Sequence, residues 1–518
     1  MATEIDAPRG PGPAERLAAI LAIAAALLAG FWALLPDLFA DPFARNDDYP
    51  ALLARPELFE WRTLANGRWL NWVWMHRAWP TGIETQWLMH MGLWCLTAAA
   101  LGAAIFRRDR WPLRAALAAA AIAAMPQMAL MSGWFGQTIP SDAILAAVAV
   151  GLALRPAGGT GIWVGAAVAA AVMTHTTWPM LIAVAAGLSA EPRQGEDHGR
   201  AALRLAVALT AGFSIGVLTV FALNWAVWDV FGLVVADWRA TETPRSLAEI
   251  VQNLDRARAW LWETLVTQAV TPVFAALSLG FAGLAAVVVA GRAPGRFLLA
   301  ATGIGWAVAL GSALVVYSGT PVPFRAAGAI WLGIVGLWAV AAARAPGPIG
   351  VLFLVLAAGA TVGGAAIWRG YTAYSFLPPQ AATRALAERI AAAGPADEVL
   401  IRGQVHGLSG LENVQSAVGV EFRLEGLLDT EVRLCTQQTV DALHFGVIDP
   451  TILAGTNERA NGMEGWIAKA RADHRRCEAA SGALDRLAPW PSEGALGRIG
   501  PSRLGVRLPE RRLGDEPP

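Results

Sequence analysis

Long apolar runs separated by short polar connections fill the first 370 residues of the chain. A membrane-crossing helix needs about 20 mostly apolar residues. By that measure roughly eleven spans are predicted, near 17–36, 84–106, 113–132, 140–155, 161–174, 178–190, 203–227, 270–291, 297–317, 326–343 and 349–368. The first run, Leu17 to Leu35, is longer than the core of a signal peptide and many others follow it, so it reads as a retained helix. The fifth and sixth are short, and Thr174-His175-Thr176-Thr177-Trp178-Pro179 interrupts the apolar pattern between them. Breaks of this kind are tolerated where they line a cavity. Beyond Trp368 the period changes: Ala381 to Ala393 reads as a helix, Glu398–Arg402 and Val418–Leu424 as strands, and Gly462 to Ala480 as a helix. After about residue 488 the chain is rich in Pro, Gly, Arg and Glu and reads as a disordered tail.

Composition agrees with a polytopic membrane protein: 55% of the 518 residues are hydrophobic, 15% are charged, and mean hydropathy is +0.45. The 40 basic and 40 acidic residues cancel, so no overall basic field points to nucleic acid as a partner. Local charge is more informative. Arg107, Arg108, Arg110 and Arg114, then Arg155, Arg193, Arg200, Arg204, Arg292, Arg296 and Arg344, mark alternate connections. The positive-inside rule places these connections and the N-terminal residues 1–16 in the cytoplasm of a bacterial inner membrane. A membrane part of residues 17–370 then carries two long exterior loops, 37–83 and 228–265, and is followed by a small α/β exterior domain at 371–487 and the tail at 488–518. The expected fold is all-α and polytopic, with about eleven spans. Of the three cysteines, Cys435 and Cys477 fall in the exterior domain and could form one disulfide; no CxxC or Cys/His metal spacing occurs.

The first exterior loop breaks the charge rule with five arginines, Arg45, Arg55, Arg62, Arg68 and Arg77, and it also holds Asn46-Asp47-Asp48-Tyr49. Carboxylates next to a bilayer are costly unless paired or functional. One of Asp47 and Asp48 can cap a helix, but two neighbouring carboxylates exceed what a cap requires. Adjacent residues point about 100° apart on a helix, so one carboxylate would act as a general base and the other would orient it. Guanidinium groups hold phosphate through paired hydrogen bonds. Together these groups suit transfer from a phosphate to an acceptor hydroxyl. Farther along the loop, Pro56 to Ala65 reads as a helix closed by Asn66-Gly67, and Trp69, Trp72, His76 and Trp79 form an aromatic stripe expected to lie along the bilayer surface.

Asn46-Asp47-Asp48-Tyr49, followed by Gly67-Arg68-Trp69-Leu70 before the second span, resembles the bacterial glucosyltransferases typified by O-antigen serotype-converting enzymes, which are multi-span glycosyltransferases of the GT-C type. The resemblance covers about the first 370 residues. It implies a polyprenyl-phosphate hexose donor, with glucose the expected sugar, and a glycan or glycolipid acceptor. It also implies an acidic catalytic residue in the first exterior loop and inversion at the anomeric carbon. Arg68, Arg325 and Arg45 are the expected phosphate ligands. Tyr49, His175, Trp178, Asp142 and Arg239 are candidate cavity or acceptor contacts, although Asp142 also fits an N-cap and a lone histidine such as His175 is more often a packing residue. A divalent cation, Mg2+ or Mn2+, is compatible with this chemistry, but a monophosphate donor does not require one. A transporter or flippase of lipid-linked sugars would use the same arginines without chemistry and is the alternative. A purely structural assembly protein leaves the Asp pair unexplained.

Overall fold

The computed structural model describes residues 13–34, 49–52, 59–77, 81–107, 112–131, 135–154, 160–193, 195–233, 244–267, 272–411, 417–435 and 464–509. Helix α1 (Pro13–Leu34) leads into three short helices, α2 (Tyr49–Leu52), α3 (Glu60–Asn66) and α4 (Trp69–Met75). A helical bundle follows: α5 (Ile83–Ile105), α6 (Pro112–Ala123), α7 (Pro126–Met131), α8 (Phe135–Leu154), α9 (Thr160–Val172), α10 (Trp178–Ser189) and α11 (His198–Trp228). It is completed by α12 (Leu247–Trp262), α13 (Pro272–Arg292), α14 (Pro294–Ser318), α15 (Gly328–Arg344) and α16 (Gly347–Ala392). Five of these helices are long and apolar enough to cross a membrane, and six shorter apolar helices fall at the other expected spans. The chain is a multi-pass membrane protein.

The bundle core is built from alanine and a few large rings, with Trp87, Trp94, Trp331 and Phe135 fully buried. Small residues let helices approach closely in such bundles. A Cβ placed on Gly212 of α11 would lie 2.2 Å from the Gly165 carbonyl oxygen of α9, and one on Gly187 of α10 would lie 2.7 Å from the Leu299 carbonyl of α14.

After the bundle the chain forms a four-stranded sheet in the order β2-β1-β4-β3, from β1 (Glu398–Arg402), β2 (Glu431–Leu434), β3 (Leu496–Gly500) and β4 (Arg503–Arg507). β1 runs parallel to both β2 and β4, and β3 is antiparallel to β4. Alternation along β1 sends Val399 and Ile401 to one face, against the end of α16 and α17 (Ala417–Leu428), and Leu400 to the other, against α18 (Glu464–Leu484).

Three expectations change here. Val418–Leu424 is part of helix α17, because parallel β1 and β2 need a crossover between them. Its alternating apolar residues divide between two cores: Val420 and Leu424 cover the sheet, while Phe422 joins the core of the bundle. The segment from 488, expected as a disordered tail, supplies β3 and the interior strand β4; short strands around Pro501-Ser502 were concealed by a turn-rich composition. The helix read at Ala381 to Ala393 is the last part of α16, which continues unbroken from the final apolar run through Pro378-Pro379.

Cys435, at the end of β2, and Cys477, on α18, form a disulfide with a Cα–Cα separation of 5.3 Å. The bridge closes a loop with a sequence separation of 42 residues, for which loop entropy gives a stabilisation of about 4 kcal/mol. Cys477→Ser is therefore expected to lower the unfolding free energy of this domain by ~2–4 kcal/mol, measured by regional hydrogen exchange of residues 398–434. An unchanged exchange rate there would show that the sheet does not depend on the bridge.

Candidate functional site

The short helices after α1 are fixed by their own sequence and then bolted to the bundle. Gly67 ends α3 in the left-handed region (φ 68°), and a Cβ there would also lie 2.6 Å from Val220 on α11, so both backbone and space require glycine. The turn starts α4 in a new direction. From α4, the Leu70 N–H donates to the Met173 carbonyl (3.0 Å) and the Asn71 amide to the Thr174 carbonyl (3.3 Å), holding the break between α9 and α10. The Trp69 indole donates to Asn224 Oδ1 (2.9 Å), Asn224 in turn donates to the Leu64 carbonyl (3.2 Å), and the Trp228 indole donates to Thr63 Oγ1 (3.1 Å). The first loop, the Thr174–Trp178 break and the end of α11 thus form one shelf.

This arrangement corrects the bilayer-surface reading of the aromatic stripe. Trp69 is buried against Val172 and Val220, Trp72 is half-buried and packs on His76 with ring centres 3.8 Å apart, and Trp79 lies outside the described residues. The stripe begins as protein core because Asn224 offers the indole a buried partner.

Two arginines of the shelf meet on one side chain. Arg62 Nη1 donates to Gln137 Oε1 at 3.0 Å and Arg68 Nη1 donates to the same oxygen at 2.7 Å. Arg62 is only 8% exposed, lies over the Phe59 ring at 5.4 Å, and Gln137 is buried in the second residue pair of α8. Bringing two guanidinium groups to one neutral oxygen concentrates positive charge, and the donor fork of each suits a phosphate oxygen. Arg77 has a different role. Its Nη2 donates to the Ala51 carbonyl and to Thr81 Oγ1 (2.7 Å), and its guanidinium lies 4.5 Å from the Trp74 ring, stitching α2 and α4 to the start of α5; burial lowers its pKa.

Asp142 is not an N-cap. Helix α8 starts at Phe135, so Asp142 is inside it, 1% exposed, and its Oδ2 lies 2.7 Å from His90 Nδ1 on α5. Thr138 Oγ1 is 3.1 Å from the same nitrogen. His90 was not among the expected site residues. Its signal in the sequence is an ionisable residue in the apolar run 83–105, one turn after Gln86 on the same helix face.

His175 stands in the break, half-buried, with Nδ1 2.8 Å from Thr177 Oγ1 and its ring 5.2 Å from that of Trp178, whose indole N–H is buried without a partner. Asp47, Asp48, Arg45 and Arg239 lie outside the described residues, as do the side chains of Tyr49, the first residue of α2, and of Arg325, in the turn Phe324–Ala326 before α15. The structure therefore joins Arg68, Arg62 and Gln137, and connects the His175 break to them through α4. Among the described residues no group of three His, Cys, Asp or Glu side chains could hold a metal ion.

Comparison of the chain with protein families, with curated proteins and with solved structures finds no match.

Proposed function

We propose that the protein is an inverting membrane glycosyltransferase that moves a hexose, glucose by preference, from a polyprenyl-phosphate donor to a glycan or glycolipid acceptor on the extracytoplasmic side. The observation that carries this reading is the convergence of Arg62 and Arg68 on Gln137, in the loop that also contains Asp47 and Asp48. The two guanidinium groups bind the donor phosphate, joined by Arg325 and Arg45. Asp47 or Asp48 removes the proton of the acceptor hydroxyl, whose oxygen attacks the anomeric carbon opposite the phosphate. The leaving group is a stable anion, so positioning and charge stabilisation supply most of the catalysis. His175 and Trp178 border the acceptor side. The Cys435–Cys477 bridge supports an oxidising, extracytoplasmic location for the C-terminal domain.

One observation favours transport of lipid-linked sugar instead: the ionisable His90–Asp142 pair inside the bundle. Both residues are eighth in their helices, so they lie about 10 Å from the loop-one end at ~1.5 Å per residue, nearer to mid-span than to that end.

The test uses purified protein in lipid nanodiscs with polyprenyl-phosphoryl glucose and extracted envelope glycolipids, following glucosylated product by mass spectrometry. One of Asp47→Asn and Asp48→Asn is expected to reduce product formation about 10²- to 10⁴-fold, the range for loss of a general base. Full activity in both variants removes the base assignment. Movement of donor across a vesicle membrane, without product, gives the site to transport.

A further inference from the structure

Helix α12, in the second long loop, has three distinct faces. At about 100° per residue, Asn253, Ala257 and Trp260 fall on one side and are buried against α14. The Asn253 amide donates to the Val316 carbonyl (2.9 Å), Arg256 Nη1 to the Gly319 carbonyl (3.3 Å) and the Trp260 indole to the Val322 carbonyl (2.8 Å). A second side carries Glu249, Gln252, Asp255 and Arg256. The third is an apolar stripe of Leu247, Ile250, Val251, Leu254 and Trp262, whose exposure runs from 38% at Ile250 to 76% at Leu247. The centre of the stripe stands about 110° from the bundle-facing side and about 140° from the polar side. The start of the helix is capped by Ser246, which accepts from the Glu249 N–H (3.3 Å), and Glu249 accepts in turn from the Arg245 N–H. Capped and bonded to α14, α12 still leaves the stripe open.

Its level in the bundle identifies the cover. A Cβ on Gly311 of α14 would lie 2.5 Å from the Trp260 ring and 3.3 Å from the sulfur of Met180, near the start of α10. Gly311 and Val316 belong to the last turns of α14, and Gly319 follows its end. Helix α12 therefore lies at the loop-one end of α14. Both α11 and α14 are long and apolar enough to cross a membrane, and toward this end each shows an exposed ring, Trp225 and Tyr317. Rings at helix ends mark the headgroup level of a bilayer, and the stripe, with Trp262, continues that level. Arg258 falls within the stripe, but its Nε lies 3.6 Å from Asp255 Oδ1 on the polar edge. Its stem runs along the apolar side while its charged head leaves it, as an arginine does at a lipid surface.

We propose that α12 is an interfacial helix whose apolar stripe is covered by lipid of the leaflet on the loop-one side, with the Arg258 guanidinium at the lipid phosphates. Bundle, acyl chains and water then each meet the face that matches them. The second long loop is fixed to the membrane plane, whichever chemistry the shelf performs.

The experiment uses the full-length protein in nanodiscs of phosphatidylethanolamine and phosphatidylglycerol. Cys95 is buried and Cys435 and Cys477 are bridged, so one added surface cysteine takes a nitroxide label. Val251→Cys and Leu254→Cys report on the stripe, and Gln252→Cys and Ala259→Cys on the polar side; all four positions are exposed, so the substitutions leave the packing on α14 intact. Collision with oxygen and with a water-soluble nickel chelate gives the depth of each label. The stripe labels are expected about 5–10 Å below the phosphates, and the polar-side labels above them. Equal contact with the chelate on both sides means a solvated helix and overturns the proposal. Stripe labels shielded from both oxygen and chelate, and broadened by spin–spin coupling, overturn it as well, because a second copy of the chain is then seated on the stripe.

Discussion

Replacing Arg62 and Arg68 together by methionine is expected to lower kcat/KM for polyprenyl-phosphoryl glucose by about 10²- to 10⁴-fold. A hydrogen bond from a charged group contributes about 1.5–3 kcal/mol, and two of them reach about 3–6 kcal/mol, with each 1.36 kcal/mol worth a factor of ten. Each single substitution should cost less than half of this in free energy, since the arginine that remains still holds Gln137. Arg68→Lys keeps the charge and loses the planar fork, so it should fall between Arg68→Met and wild type. Steady-state kinetics with a soluble short-chain donor analogue give the numbers, and thermal unfolding of the same samples separates lost binding from lost packing around the buried Arg62. Transfer at the wild-type rate by the double variant would remove the phosphate site from the shelf.

The second large effect is expected in the C-terminal domain. Arg433 on β2 is 5% exposed and binds Glu425 Oε1, with Asp473 at 2.8 Å, Glu431 at 3.4 Å and Glu421 at 4.0 Å; Lys469 completes the group at 3.2 Å from Glu421 and 2.7 Å from Asp473. Burial acts to lower the Arg433 pKa, but the carboxylates of Asp473, Glu421 and Glu425 outweigh it and the net shift is upward. A basic group with a raised folded-state pKa stabilises fully below its unfolded value, so this contribution is intact across all physiological pH and is lost only in strong alkali. Removing one member of a buried ion group typically costs about 3–5 kcal/mol, because its partners stay buried without compensation. Arg433→Met should therefore unfold the sheet region locally, seen as fast hydrogen exchange in β1, β2 and β4 while α5 and α8 stay protected. Adding Glu425→Leu and Asp473→Leu to Arg433→Met should recover much of the loss. Protection equal to wild type in Arg433→Met would mean that Lys469 alone satisfies the acids.

How much of this was legible in the sequence depended on the range of the interaction. The apolar runs declare their helices because each satisfies its own backbone within about 20 residues, and Asn66-Gly67 declares its turn because only the local φ matters. Strand β1 was readable from Glu398-Val-Leu-Ile-Arg402 alone. In contrast, β4 earns its interior place only by pairing with β1, about a hundred residues earlier. The site divides in the same way. Arg68 was singled out from its setting, but Gln137, 69 residues away from it, has no mark of its own until the bundle closes. Asp142 looked like a cap because Pro140 suggested a helix start, whereas α8 begins at Phe135 and contains that proline. Nothing near His90 in the chain announces a partner 52 residues later.

Helix α16 runs 46 residues without interruption, from the last apolar segment into the layer that supports the sheet, and Phe422 of α17 is tucked into the bundle beneath. A domain attached in this way is mounted on a strut rather than hung from a tether. At ~1.5 Å per residue, the 22 positions from Gly370 to Ala392 set a stand-off of about 33 Å. The sheet is thereby held at one height and one heading over the bundle, so lengthening the strut by two residues, which swings the domain through about 200° at 3.6 residues per turn, should draw Phe422 out of the bundle core.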